Sequence, residues 1–207
     1  MNPRNVLFAV TAVVGLVLDQ ATKWWVVHNL PEGTGEIVVI PGFFSIVHAR
    51  NPGAAFGMLR DFEYRHWVFL AFTIVAGFVI ADMFRKLKPN DGFMGAALGL
   101  VLSGAIGNAI DRVLYRFVTD FLRVYIDTPS VKQWLIATFG TYEWPSFNVA
   151  DAALVVGIGM FVIHQLFLEK KEAPAPPTAG TRSADEEPTE PRAESKAEPT
   201  PDQPVAG

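Results

Sequence analysis

Residues 93–114 read FMGAALGLVLSGAIGNAIDRVL. The stretch is apolar as far as Ile106 and turns polar at Asn108, Asp111 and Arg112. About 20 apolar residues suffice to cross a bilayer, and a single segment in lipid satisfies its backbone only as a helix. On that helix Gly95, Gly99, Ser103 and Gly107 recur every four residues and form one row leading to Asp111. Such a row lets a neighbouring helix approach closely. Gly104, Asn108 and Arg112 form a second row, which sets an amide and a guanidinium one turn apart. Taken alone, that row also fits plain helix contact with an interfacial arginine.

Three further apolar blocks, residues 5–27, 66–84 and 147–168, match this one in length. They predict an all-α membrane protein with four transmembrane helices in one domain, residues 1–171. The first block resembles a signal peptide, but Asp19, Gln20, Lys23 and Trp24 stand where a small-residue cleavage site belongs, so it is read as a retained helix. The connection 85–92 is short and carries Arg85, Lys86 and Lys88, whereas 28–65 and 115–146 are long. Four spans put both termini and the short turn on one side and both long loops on the other. Basic residues tie between the sides in number. Their density at the helix ends favours the termini side as cytoplasmic.

Within the first long loop, Glu36–Ile40 and Phe43–His48 are β-type runs joined at Pro41-Gly42, which predicts a small extracytoplasmic hairpin or sheet. Asn51-Pro52-Gly53 then turns the chain and Ala54–Met58 continues apolar. A lone hairpin is too small to stand by itself, so it is expected to pack on the membrane surface or the helix ends. In the second long loop, Val131, Trp134, Leu135, Ile136 and Phe139 fit one face of a short helix over Pro129–Phe139, with Lys132 and Gln133 opposite. This suits a helix in the interface plane and equally one packed on the other loop. Residues 172–207 hold eight acids, three bases and eight prolines without an aromatic, so they are expected to form a disordered, passive tail.

The formal charge of -4 arises in that tail, and the body is near neutral. A body without a basic stripe excludes nucleic acid as a partner. The absence of cysteine excludes disulfides and thiolate chemistry. No two of the four histidines have metal-ligand spacing, which leaves only an all-carboxylate route to a metal. Ser103 lies deep in the glycine row, no serine is spaced to a base, and no phosphate-binding loop precedes a helix.

An ionisable group at membrane depth costs about 2.5–3.5 kcal/mol on insertion scales, yet several cluster here. Asp19 and Lys23, then Asn108, Asp111 and Arg112, then Asp120, then Asn148 and Asp151 all fall on the long-loop side. Asn148 and Asp151 share a helix face, and they also fit an ordinary N-cap with a first-turn acid. If Asp120 meets Asp151, like charges in contact hold one proton between them. One carboxylate then draws a proton from water while the other donates to a carbonyl. Such a pair titrates as a unit. The rival is a proton- or ion-coupled transporter, whose carboxylates would be spread over membrane depth. A structural or lipid-binding subunit is a third class.

Five blocks then fall in order: Asp19-Gln20-Ala21-Thr22-Lys23, Asn51-Pro52-Gly53-Ala54-Ala55-Phe56-Gly57, Gly104-Ala105-Ile106-Gly107-Asn108-Ala109-Ile110-Asp111-Arg112, Val118-Thr119-Asp120-Phe121 and Phe147-Asn148-Val149-Ala150-Asp151. Over about residues 5–168 the chain resembles the lipoprotein signal peptidases, or signal peptidase II. The resemblance implies an aspartyl endopeptidase that removes the signal peptide from diacylglyceryl-modified prolipoproteins, without cofactor or metal, and is inhibited by globomycin. It implies a multi-pass protein of the bacterial cytoplasmic (inner) membrane, both termini cytoplasmic and the active site toward the outer face. A monomer in membrane lipid is expected. The matching catalytic positions are Asp120 and Asp151. The matching supporting or substrate-binding positions are Asp19, Lys23, Asn51, Gly104, Asn108, Arg112, Asn148 and Ala150. The interval from Asp120 to Asp151 is longer than the family usually has, and the excess falls at Pro129–Phe139. That segment is expected to be a lid or rim for the lipidated substrate.

Overall fold

The computed structural model describes residues 2–53 and 64–168. The apolar run Ala54–Met58 and the tail from residue 172 lie outside the described residues. Among the described residues, five α-helices and three strands follow in the order α1 (Pro3–Asn29), β1 (Glu36–Ile40), β2 (Phe44–Asn51), α2 (Arg65–Lys86), α3 (Gly92–Tyr115), β3 (Val118–Val124), α4 (Pro129–Phe139) and α5 (Val149–Ile163). A π-helical turn, His164–Leu168, extends α5. Four helices are long and apolar enough to cross a membrane, and they are the four expected spans.

Local chemistry sets the helix ends. Pro3 occupies the first turn of α1, where its missing N–H leaves nothing unsatisfied. Asp91 caps α3 by accepting from the Met94 N–H at 3.0 Å. Arg116 closes α3 in the left-handed region at φ 65°. The last span begins at Val149, two residues later than expected, because Phe147 pairs with Leu122 beside β3 and Asn148 is the cap.

α3 is the centre of the bundle and packs against α1, α2 and α5. Half of its most apolar window is buried by protein, against 17% or less in the other spans, whose outer faces are left to lipid. The glycine row is the reason. A Cβ on Gly95 would meet the Arg4 backbone, one on Gly99 the Phe8 carbonyl and Thr11, and one on Gly107 the Asp19 carboxylate, while Ser103 lies against Gly15. The partners step along α1 in the same direction as the row, so the two helices run parallel in close contact. Thr11 adds a hydrogen bond from its Oγ1 to the Ala96 carbonyl at 3.1 Å. On the other side, Gly104 abuts the Ala150 carbonyl and Gly157 abuts Ala97 and Val101, which seats α5 antiparallel to α3.

The expected hairpin is present, and β3 completes a sheet of order β1-β2-β3, antiparallel throughout. Asn51 pairs with Val118 at one end and Phe44 with Val124 at the other. The sheet sits on the end of α1, where Phe121, Ile46 and Leu122 pack with Val26 and Leu30. That contact supplies the packing against a helix that a small sheet needs for stability.

Candidate active site

Five elements bring the polar residues together, α1 with Asp19 and Lys23, β2 with Asn51, and three more. α3 carries Asn108, Asp111 and Arg112, β3 carries Thr119 and Asp120, and the first turn of α5 carries Asp151 behind its cap Asn148. The cap is reciprocal. Asn148 Oδ1 accepts from the Asp151 N–H at 2.9 Å, and Asp151 Oδ2 accepts from the Asn148 N–H at 3.2 Å. Phe147 holds Asn148 beside β3, because its carbonyl accepts from the Phe121 and Leu122 N–H groups at 3.0 and 2.8 Å.

The amides are oriented without ambiguity. Lys23 has only donors, so the Asn108 oxygen must face it, at 3.1 Å. The Asn108 NH2 is thereby turned to Asp151 Oδ1 at 2.7 Å. The Asn148 oxygen is committed to its cap, so its NH2 donates to Asp120 Oδ1 at 2.8 Å, and to Asn108 Oδ1 at 3.2 Å. Asn51 is the last residue of β2 rather than part of the loop beyond it, and donates to Asp120 Oδ2 at 3.0 Å. Its own oxygen accepts from the Gly53 N–H at 2.9 Å. Gly53 has φ 86°, and a Cβ there would enter the Phe69 ring, so only glycine fits this turn.

Behind the two aspartates lies a second carboxylate pair. Asp19 Oδ1 accepts from the Ala150 N–H and Asp111 Oδ2 from the Thr119 N–H, each at 2.9 Å. These are the residues just before Asp151 and Asp120. Lys23 joins the two holders, at 2.9 Å from Asp19 and 3.2 Å from Asp111. It is 4% exposed, and its three protons have three acceptors. Sequence reasoning put Asp19 and Asp111 at this end of the bundle but gave Asp111 no task. Its acceptor role was hidden because the strand it holds was itself unrecognised.

Asp120 is 2% exposed, whereas Asp151 is half-buried. Burial, and after it the negative charge of Asp151, pushes the Asp120 carboxyl up from the usual range to about 7. The Asn51 and Asn148 donors and the Lys23 charge act in the opposite sense. Arg112 stands at the margin, donating to the Asn108 carbonyl at 3.2 Å with its guanidinium 4.6 Å from the Phe69 ring centroid. Gly104 and Ala150 contribute smallness, since they are where α3 and α5 touch. Among the described residues no group of three metal-ligating side chains occurs. A cleft of about 460 Å³ on the sheet, lined by Glu32, Glu36, His48, Arg50 and Arg123 among others, includes neither Asp120 nor Asp151.

A family model described as Signal peptidase (SPase) II matches residues 11–167. The chain belongs to the signal peptidase II family. The lipoprotein signal peptidase of Geobacter metallireducens is 41% identical over 173 residues, which are 84% of this chain and 98% of that one. That of Geobacter sulfurreducens is 42% identical over 174 residues, 84% of this chain and 100% of that one. A solved structure of a bacterial membrane enzyme, determined by the in meso method at 1.9 Å resolution, is 31% identical with a TM-score of 0.64, covering 77% of this chain and 92% of that one. As a member of the signal peptidase II family, the protein is a prolipoprotein-processing peptidase and a multi-pass bacterial membrane protein.

Proposed function

We propose that Asp120 and Asp151 form the catalytic pair of an aspartyl endopeptidase acting on diacylglyceryl-modified prolipoproteins. The observation that carries this reading is Asn148. One asparagine side chain donates to Asp120 while capping the helix turn that presents Asp151. The raised Asp120 carboxyl fits a pair holding one proton near neutral pH.

The chemistry follows from that state. The ionised carboxylate takes a proton from water as its oxygen bonds to the scissile carbonyl carbon. The protonated carboxyl gives its proton to the carbonyl oxygen, which forms a neutral gem-diol. Breakdown of the diol breaks the C–N bond. One carboxyl protonates the departing amine of the lipidated cysteine, and the other recovers a proton from the diol. The signal peptide is released with a new carboxyl terminus, and the pair again holds one proton. No metal enters these steps. Asn51 and Asn108 fix the carboxylates, and Lys23, Asp19 and Asp111 fix the backbone on which they sit. The site faces outward across the cytoplasmic membrane, and a globomycin-type peptide competes for it.

The test is cleavage of a lipidated prolipoprotein peptide in detergent by the wild type, Asp120→Asn and Asp151→Asn, with a chelator present and absent. Both variants should still unfold in one cooperative transition, as a folded protein does, and lose cleavage, and the chelator should change nothing. Cleavage at the wild-type rate by either folded variant ends the reading.

A further inference from the structure

No residue of α4 takes part in the hydrogen bonds and ion pairs that hold Asp120 and Asp151. None of its residues is buried. Only Lys132 and Leu135 turn partly inward. Lys132, expected with Gln133 opposite the apolar face, pairs with Asp127 at 2.7 Å and lies 4.1 Å from the Tyr142 ring centroid. Its charge is therefore neutralised on the protein side. Val131 and Trp134, three residues apart, lie on one flank at 39% and 59% exposure. The Trp134 ring meets Phe139, itself 66% exposed, edge to face at 5.8 Å. The exposures of Trp134 and Phe139 match those of Val75 and Phe72 on the membrane-spanning helix α2. An uncharged apolar flank of this kind marks an interaction surface.

Two observations say what covers it. The first is the path of the chain. β3 leaves the end of α3, crosses the end of α1 at Phe121 and Leu122, and continues past that contact to Val124. α4 follows from there, after the Asp127 N–H donates to the Gly42 carbonyl in the β1–β2 turn at 3.1 Å. The second is the distribution of aromatic residues with a polar edge. All five tryptophans and all four tyrosines lie at the site end of the bundle or in its loops. Trp24 and Trp25 are near the end of α1, Trp67 is in the first turn of α2, Tyr115 ends α3, and Trp144 precedes α5. Such rings mark the membrane–water boundary, and Trp134 extends that belt onto α4.

We propose that α4 lies in the plane of the site-side bilayer interface, with Val131, Trp134 and Phe139 in lipid and Gln133 toward water. It tethers to the membrane the far end of the sheet that carries Asp120. Among the described residues of α4 and its flanking turns, Lys132 is paired to Asp127 and Arg123 to Glu143, so this flank offers no free cation to select anionic lipid. The contact is apolar and insensitive to headgroup charge.

The chain has no cysteine, so one introduced thiol is labelled uniquely. Gln133→Cys, Trp134→Cys and Phe139→Cys, each carrying a nitroxide, are placed one enzyme per nanodisc in phosphatidylcholine, with or without phosphatidylglycerol. The helix side chains are exposed, and an unchanged unfolding midpoint confirms that each labelled protein is folded. Collisions with oxygen report lipid, and collisions with a water-soluble nickel chelate report water. Labels at 134 and 139 should favour oxygen over nickel several-fold, label 133 should show the reverse, and both lipid mixtures should agree. Nickel access at all three positions places α4 in water and overturns the proposal. Protection of 134 and 139 that develops only with two enzymes per disc overturns it in favour of a second copy of the chain. Protection that develops only on adding a lipidated peptide overturns it in favour of a substrate rim.

Discussion

At the scale of single residues, the raised Asp120 carboxyl has a definite pH signature. Between pH 3.8 and about 7 the folded chain holds a proton at Asp120 that the unfolded chain releases. Stability therefore falls as pH rises through that window, and the penalty is complete above it. Thermal unfolding followed across the window should show this slope in the wild type and a flatter profile in Asp120→Asn. Cleavage by a pair holding one proton should decline as pH rises past about 7, where Asp120 gives that proton up. Asn148→Asp keeps an oxygen for the Asp151 N–H but replaces the donor to Asp120 with a third carboxylate. It should cut cleavage at least about tenfold, the equivalent of ~1.4 kcal/mol, and move the alkaline limb of the rate profile upward. Lys23→Met strands two buried carboxylates and should destabilise the protein by about 3–5 kcal/mol. Pairing it with Asp111→Asn removes one stranded charge and should recover part of that loss, which an unfolding comparison of the single and double variants measures.

At the scale of elements, the α3–α5 contact is set by Gly104. An alanine Cβ there would strike the Ala150 carbonyl, which is backbone and has no rotamer to escape into. Gly104→Ala should force α5 outward, cost about 1–3 kcal/mol and reduce cleavage more than stability, because Asp151 rides on the first turn of α5. Gly159→Ala, whose Cβ meets nothing within 4 Å, is the matched control and should leave both unchanged. The four spans and the glycine row were legible in the sequence because each depends only on local periodicity. The hairpin was legible because its strands are neighbours joined by Pro41-Gly42. β3 was not. Val118 to Phe121 are buried consecutively, so no period-two alternation marks the strand, and its partner β2 lies some seventy residues away in the chain. The same distance concealed the backbone holders, since Asp19 reaches Ala150 across 131 positions. Sequence gathered the polar residues at one end, while the partner of each awaited the fold.

At the scale of the whole molecule, the family match is shorter than the chain. The family match stops at residue 167, and the polar sequence from 172 onward lies outside it. A chain truncated after Lys170 should process a lipidated peptide at the full rate, measured by turnover in the same detergent. Within the matched residues the two ends of the bundle differ in kind. The far end closes on Ile80, Met94, Ala97 and Leu98, with Phe8 and Phe84 ring to ring at 4.3 Å. The near end holds every indole and phenol. Ultraviolet emission from the folded protein therefore originates at one face of the membrane, so a peptide arriving over the sheet will alter the spectrum. An event confined to the opposite face passes unseen. The protein thus contains a built-in optical gauge of traffic on its working side.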